Sequence, residues 1–243
     1  MKKCTTGAIW RVKSISQLNV KVLSMRKLLQ PVSLWLLALS SLIAEDWPML
    51  AHDPARTGAT AAPLKPPFAR KWYRLFPSEG IQSGVQPVLA DGAAFLGTLR
   101  GLLHALDAET GRDRWTFQAG GPILHAAAVA TGRVLFGAAD GNVYALSAQD
   151  GRLAWKVATG SAIWNAPACV DGVTFIGSRD GWLYAIETAT GLVRWRGKCG
   201  APLLNSPAID VKSGRVIIAA EDMRVRAFAL GGGRLLWTSP NGP

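Results

Sequence analysis

Histidine and cysteine are scarce in this chain, with three of each among its 243 residues. No two of them have the spacing of a zinc site, so we predict no bound metal. The sequence also lacks a Ser-His-Asp arrangement and a pair of carboxylates at catalytic spacing, so we predict no catalytic residues. No apolar run approaches the ~20 residues of a membrane-spanning helix, so we predict no transmembrane span in the mature chain.

The chain is also short of acidic side chains, with 16 Asp and Glu against 27 Lys and Arg, and its formal charge is +11. Seven of the basic residues fall in residues 1–44, which contain no acidic residue. The rest of the chain therefore holds 20 basic and 16 acidic side chains, a net charge of +4. This is an ordinary solvated surface, and it excludes a nucleic-acid partner.

Residues 25–44 are typical of a secretory signal peptide. Arg26 and Lys27 form its charged end, Val32 to Ala44 its apolar middle, and Ala44 the last residue before cleavage. We therefore predict residues 1–44 as a leader, with Met25 as the true start, and a periplasmic or secreted protein. The apolar run is too short for an uncleaved anchor, and no cysteine follows it as a lipoprotein would require.

Two cysteines remain after the leader, Cys169 and Cys199. They pair if the compartment is oxidising and their Cα atoms are close enough, which the sequence leaves open. We favour two unrelated, half-buried thiols.

Residues 45–70 are predicted to form an N-terminal arm, because their prolines disfavour a helix or a central strand. We expect Arg56 and Asp53 to pin this arm. His52 and Asp53 have no nucleophile at a motif spacing, so we expect no chemistry there. The alternation in Lys71–Phe76 predicts a lone strand that completes a blade through Trp72.

The motif Ala-x-Asp-x-x-Thr-Gly-x-x-x-Trp starts at Ala105 and recurs, with substitutions, after 40, 40 and 42 residues. A period of about 40 residues in a strand-rich chain predicts propeller blades. We place four-stranded antiparallel blades at 83–119, 122–159, 162–199 and 202–240.

Two-residue turns of the Asp-Gly type recur in register between the predicted strands. The fourth repeat has Asp222-Met223 at its second turn, where we expect Asp222 to take the left-handed conformation. The motif tryptophans are predicted to fill the wedges between blades, with the preceding glycine making room. These blade-docking residues are Trp72, Trp115, Trp155, Trp195 and Trp237, with Gly111, Gly151, Gly191 and Gly233.

With four copies of this motif in register, residues 71–240 resemble the pyrroloquinoline-quinone-type (PQQ-like) β-propeller repeat family. There the motif is the tryptophan-docking motif, and the arm Glu45–Gly58 resembles the mature N-terminus of secreted members. The resemblance implies an all-β propeller of seven or eight blades, so we expect a partial arc of four. A truncated product or a fragmentary gene model explains this. Two chains that close one ring, each supplying the other's missing half, are a less favoured alternative.

The resemblance also implies two classes of function. Quinoprotein dehydrogenases bind PQQ with calcium on the propeller axis, use an Asp base and often carry a vicinal disulfide. Other members are rigid binding discs, such as the periplasmic scaffold of the outer-membrane β-barrel assembly machinery. This chain has neither a Cys-Cys pair nor a Cys-x-x-Cys-His haem site, and its acidic residues fall in turns.

We therefore predict an exported, non-catalytic module, without a cofactor, that binds a protein or an envelope polymer. The alternative is a fragment of a PQQ-dependent dehydrogenase that holds PQQ and calcium. A cytosolic WD-repeat scaffold is disfavoured by the leader and by the lack of Gly-His and Trp-Asp signatures.

Three polar residues, His125, Asn165 and Asn205, share one repeat position at the start of the innermost strand, near a mouth of the axial channel. They are the candidate ligand or partner residues. The alternative, which the sequence favours, is that they satisfy backbone groups at strand ends. His104 stands where other repeats have tyrosine or phenylalanine, so we expect it to replace an aromatic ring.

Overall fold

The computed structural model describes residues 46–61, residue 67 and residues 69–240, all within one structural unit. These residues form sixteen strands and no helix, in four antiparallel four-stranded sheets. The predicted leader, residues 1–44, lies outside the described residues. No helix in the described part of the chain is long and apolar enough to cross a membrane.

Each sheet is built from one repeat. Blade 1 contains β1 Val88–Ala90, β2 Ala93–Gly97, β3 Leu102–Asp107 and β4 Asp113–Gln118. Blade 2 contains β5 Ala128–Ala130, β6 Arg133–Gly137, β7 Asn142–Ser147 and β8 Leu153–Ala158. Blade 3 contains β9 Ala168–Val170, β10 Val173–Gly177, β11 Trp182–Glu187 and β12 Val193–Lys198. Blade 4 contains β13 Ala208–Asp210, β14 Arg215–Ala219, β15 Val225–Ala229 and β16 Leu235–Thr238.

The strands of each blade pair in chain order, so every repeat is a simple meander. The first strand of blade 2 contacts the first strands of blades 1 and 3, which places the first strands innermost. The all-β propeller architecture predicted from the repeats is therefore confirmed.

The hydrophobic core lies between the faces of neighbouring blades. One cluster joins blades 1 and 2 around Phe95 and Phe136, and another joins blades 3 and 4 around Phe175 and Phe228. These four rings are almost fully buried. In blade 2 the middle strands β6 and β7 are covered on both faces, so their residues are buried apart from end positions, whereas the outer strand β8 alternates between exposed and half-buried residues.

The first turn of blades 1 to 3 has the geometry of a type I′ turn. Asp91, Thr131 and Asp171 have φ of 48–49°, and the glycine after each of them also has a positive φ. Such turns match the twist of the strands that they connect and need left-handed conformations at both central residues. The Asp-Gly and Thr-Gly pairs of the sequence therefore fix these hairpins.

The second turn of blade 4 differs from our expectation. Met223, and not Asp222, adopts the left-handed conformation, with φ of 61°. Asp222 is held in place by its side chain, whose Oδ1 accepts hydrogen bonds from the Arg226 guanidinium at 3.0 Å and the Arg224 N–H at 3.2 Å. The left-handed residue is therefore the one that follows Asp222, as in the Asp-Gly turns.

We expect Met223→Gly to raise the free energy of unfolding by about 0.5–1 kcal/mol. A left-handed conformation costs a residue with a side chain about 1–2 kcal/mol, part of which returns as the greater unfolded-state entropy of glycine. Urea denaturation of the purified chain measures the change. Ala189→Gly is the matched control, because Ala189 is exposed and has no positive φ, so it should lose about 0.5–1 kcal/mol. A loss of similar size in both variants would contradict the prediction.

The N-terminal arm lies along the free edges of the innermost strands. Trp47 and Leu89 exchange two backbone hydrogen bonds of 2.8 Å, so the arm pairs with blade 1. Pro48 O accepts from Val129 N at 2.6 Å in blade 2, and Pro54 O accepts from Ile209 N at 2.8 Å in blade 4. The three donors occupy equivalent positions of their blades. The arm therefore satisfies strand edges that would otherwise be unpaired.

The segment 71–76 is not the strand that its alternation predicted. It has no assigned strand hydrogen bonds, because no other strand among the described residues runs beside it. The alternation nevertheless has a structural basis, since Trp72, Arg74 and Phe76 are half-buried against blade 1 whereas Tyr73 and Leu75 are exposed. The blade-closing role of this segment remains a prediction.

His104 helps to hold this segment on blade 1. Its buried ring lies between two carboxylates, with Nε2 2.8 Å from Glu79 Oε2 and Nδ1 3.0 Å from Asp113 Oδ1. Although burial acts to raise the pKa of Asp113, hydrogen bonds from His104 and Arg74 hold this pKa below its ordinary value. The ring of Phe76 packs edge-on against the imidazole. His104 thus takes the place of an aromatic ring and also ties a turn to the sheet.

Candidate functional site

Four of the five tryptophans predicted to dock blades contact the repeat that follows them. In each case the indole Nε1–H donates to a backbone carbonyl of the following repeat, at 2.9–3.2 Å. The pairs are Trp72 with Ala108, Trp115 with Ala148, Trp155 with Thr188, and Trp195 with Leu230. These four rings are half-buried, and their polar atom is used within the fold. Their blade-docking role remains a prediction, which these contacts support.

The sequence predicted that each indole packs on the glycine of its own motif copy. In the structure each of these four indoles packs instead on the glycine of the following repeat. A Cβ atom at any of these glycines would lie 2.8 Å or less from a ring carbon. The pairs are Gly111 with Trp72, Gly151 with Trp115, Gly191 with Trp155, and Gly233 with Trp195. Trp237 has no such glycine among the described residues, and 40% of it is exposed.

Asn165, one of the three candidates at the channel mouth, is buried and its amide is fully used. Its Nδ2 donates to Gly177 O at 3.0 Å and Leu203 O at 3.1 Å, and its Oδ1 accepts from Gly177 N at 3.1 Å. These bonds connect blade 3 to blade 4. Asn165 therefore satisfies backbone groups and has no polar atom left for a ligand.

The other two candidates are more accessible. Asn205 is exposed, and His125 is half-buried. The Nδ1 atom of His125 accepts the N–H of Ala126 at 3.0 Å, so the ring proton lies on Nε2. Burial and the nearby charge of Arg56 both lower the pKa of His125, so its ring is neutral at pH 7. His125 lines a cleft at the mouth.

The sequence predicted that Arg56 pins the arm, but it did not indicate which groups Arg56 contacts. From the arm, its guanidinium donates to four backbone carbonyls: Leu50 at 2.6 Å, Pro167 at 3.0 Å, Pro207 at 3.2 Å and Ala166 at 3.4 Å. Burial lowers the pKa of Arg56 to about 10, so the group stays charged at neutral pH. Arg56 therefore joins the arm to blades 3 and 4.

A cleft of about 440 Å³ opens beside His125. Its lining residues are Gln82, Ser83, Gly84, Leu124, His125 and Trp164, and we call it the mouth cleft. Trp164 is 40% exposed, and the guanidinium carbon of Arg179 lies 4.0 Å from its ring centroid. Arg179 is also 3.9 Å from Glu221. The mouth cleft combines an exposed indole with uncharged hydrogen-bonding groups.

Cys169 and Cys199 are both free and buried, so the interpretation of these two as unpaired thiols holds in this structure. Burial raises the pKa of each thiol, of Cys169 and of Cys199, to about 11. The thiols are therefore protonated and unreactive at neutral pH.

A protein-family model described as outer membrane protein assembly factor BamB matches residues 50–163 and 158–243, which is most of the chain. The chain belongs to the PQQ-like β-propeller repeat family. Among curated proteins, none matches it significantly.

Solved structures of this fold include quinohemoprotein alcohol dehydrogenase ADHIIG from Pseudomonas putida HK5, with a TM-score of 0.69 and 20% identity over 82% of this chain and 40% of that one. The corresponding enzyme from Comamonas testosteroni has a TM-score of 0.62 and 19% identity, over 82% and 41%. The computationally designed Ika8 protein has a TM-score of 0.57 and 20% identity, over 63% and 48%. The chain thus spans less than half of each of these proteins. At these identities the likeness concerns the fold alone.

The donor set of a calcium-bound quinone is not found among the described residues of this PQQ-like propeller. No three His, Cys, Asp or Glu side chains within residues 46–61, 67 and 69–240 lie close enough together to hold a metal ion. No carboxylate lines the mouth cleft, whose side-chain oxygens are the amide of Gln82 and the hydroxyl of Ser83, whereas Ca²⁺ takes about 6–8 oxygen ligands with carboxylates among them. These residues do not fit a PQQ–calcium centre.

Proposed function

We propose that this PQQ-like propeller is an exported, non-catalytic module that binds a protein or an envelope polymer. One observation carries the proposal: two polar side chains near the channel mouth, those of Arg56 and Asn165, are used within the fold and are not presented to a reacting atom. Arg56 donates to carbonyls of the arm and of two blades, and Asn165 connects blades 3 and 4. The match to the model described as an outer membrane protein assembly factor supports a binding function.

We expect the chain to show no PQQ-dependent alcohol or sugar oxidation. The purified protein is incubated with PQQ and Ca²⁺, and reduction of an artificial dye is followed after addition of ethanol or glucose. The rate should equal that of PQQ and Ca²⁺ without protein, because no three His, Cys, Asp or Glu side chains of the described residues lie close enough together to hold the metal ion. A quinoprotein dehydrogenase prepared in the same way is the positive control. Dye reduction that needs substrate, PQQ and Ca²⁺ together would overturn the proposal in favour of the dehydrogenase alternative.

A further inference from the structure

The mouth cleft exists because one repeat position is occupied by different residues in different blades. Leu124 and Leu204 occupy this position in blades 2 and 4, Gly84 occupies it in blade 1, and Trp164 in blade 3. Gly84 leaves space beside His125, and Trp164 adds a large flat ring to the lining of the same cleft. The irregularity therefore creates both a space and an aromatic surface at one place.

The indole of Trp164 is held in position from one side. The guanidinium of Arg179 stacks on the ring at 4.0 Å but does not line the mouth cleft. Glu221 lies 3.9 Å from Arg179 and offsets its charge. Because 40% of Trp164 remains exposed, the ring presents a supported surface to the cleft.

The polar groups of the mouth cleft are uncharged. His125 presents an Nε2–H donor, since its Nδ1 accepts the N–H of Ala126. Gln82 and Ser83 are exposed and offer both donors and acceptors. A ligand that fits this lining has an apolar face for the indole, several hydroxyl or amide groups, and no net charge.

We propose that the mouth cleft binds a neutral saccharide, with a sugar ring stacked on the indole of Trp164. A pyranose ring has an apolar C–H face and a rim of hydroxyl groups, which matches the flat indole and the uncharged polar groups around it. The volume of about 440 Å³ is that of a small-molecule site. This inference rests on the proposed binding function and names the class of its ligand.

An extended peptide is the less favoured occupant. Peptides often bind propellers and sheets by pairing with a free strand edge. Here the N–H groups of Leu89, Val129 and Ile209 on the innermost edges already bond to the arm. The cleft also offers no charged side chain for a peptide terminus or an acidic motif.

Two substitutions test the site with residues that the fold already accepts at this position. Trp164→Leu removes the indole and introduces the residue found in blades 2 and 4. Gly84→Leu fills the cleft and leaves the indole in place. Gly84 has no positive φ, and its added Cβ would make ordinary contacts, 3.5 Å from Leu124 O and 3.6 Å from the His125 ring. Tyr73→Leu is the control, because Tyr73 is an exposed aromatic residue outside the cleft.

Isothermal titration calorimetry with chitotriose, a neutral trisaccharide of N-acetylglucosamine, is the measurement. We expect the unmodified chain to bind, Trp164→Leu and Gly84→Leu each to weaken binding about tenfold or more, and Tyr73→Leu to stay within about twofold. Monomeric N-acetylglucosamine distinguishes a free sugar from a glycan chain: equal affinity indicates a free sugar, and tighter binding of the trisaccharide indicates a glycan chain. Melting temperatures identify a variant that fails to fold. If one of the two cleft variants fails to fold, the binding result for the other one tests the proposal.

The proposal is overturned if the unmodified chain binds neither saccharide, or if both folded cleft variants bind as tightly as the unmodified chain. Binding of an uncharged peptide of similar size in place of the saccharides would also overturn it. None of these results affects the test with PQQ and Ca²⁺, so failure of the saccharide inference is distinguishable from failure of the proposed function.

Discussion

Trp155→Ala is expected to lower the free energy of unfolding by about 3–5 kcal/mol. The indole lies against Gly191 of the next blade, and its Nε1–H donates to Thr188 O at 3.0 Å. Removing it leaves a cavity between blades 2 and 3 and a carbonyl without its partner, and neither blade is free to move into the space. Urea denaturation followed by far-UV circular dichroism measures the loss.

The matched control is Trp237→Ala, at the same position of the motif. Trp237 is 40% exposed and packs on no glycine among the described residues, so its removal should lower the free energy of unfolding by about 1–2 kcal/mol.

The glycine that contacts the indole can be tested in the same way. Gly191→Ala and Gly172→Ala both place alanine at a positive φ, but a Cβ at Gly191 would lie 2.8 Å from the Trp155 ring, whereas none lies within 4 Å at Gly172. The larger loss at Gly191 then measures the collision with the ring. Equal losses in either pair would contradict the docking interpretation.

Arg56→Met is expected to lower the free energy of unfolding by about 3 kcal/mol or more. Methionine has nearly the same length but no donor, so it leaves the carbonyls of Leu50, Pro167 and Pro207 without their hydrogen bonds. A buried acceptor that loses its partner costs about 1–3 kcal/mol. Burial lowers the pKa of Arg56 to about 10, and the nearby carboxylate of Asp53 acts against this shift.

Arg152→Met is the control for this experiment. The Arg152 side chain is 87% exposed and its ion pair with Asp150 lies at the surface, so the change should stay within about 0.5 kcal/mol. Protease susceptibility of the arm gives a second readout, because Arg56→Met should release residues 46–61 while the four sheets remain folded. An Arg56→Met protein as stable and as protease-resistant as the unmodified chain would show that the arm is held by its backbone pairing alone.

The blades were predictable from the sequence because their signals are local. A turn such as Asp171-Gly172 needs only its own two residues to specify a type I′ geometry, and the strands on either side carry apolar residues through their length. Aligning the four repeats then indicated where each strand begins and ends, because a turn that is unclear in one repeat is clear in the others. The fold class follows from these two features.

The contacts at the centre of the molecule were not predictable in this way. Arg56 donates to Pro207, which is 151 residues away, and no periodicity marks such a pair. The sequence also left open which glycine contacts the Trp155 ring, because Gly151 and Gly191 occupy equivalent positions of neighbouring repeats. Trp164, in contrast, carried a usable signal, since it differs from the leucine found at its position in blades 2 and 4.

The path of the arm has a consequence for how the molecule denatures. Arrays of repeats that touch only their neighbours can unravel from either end, one unit at a time. Here residues 47–56 are bonded to the first, second, third and fourth blades, so no blade can melt without releasing a contact shared by the others. We therefore expect the tethered blades to unfold as one cooperative unit, in a single transition.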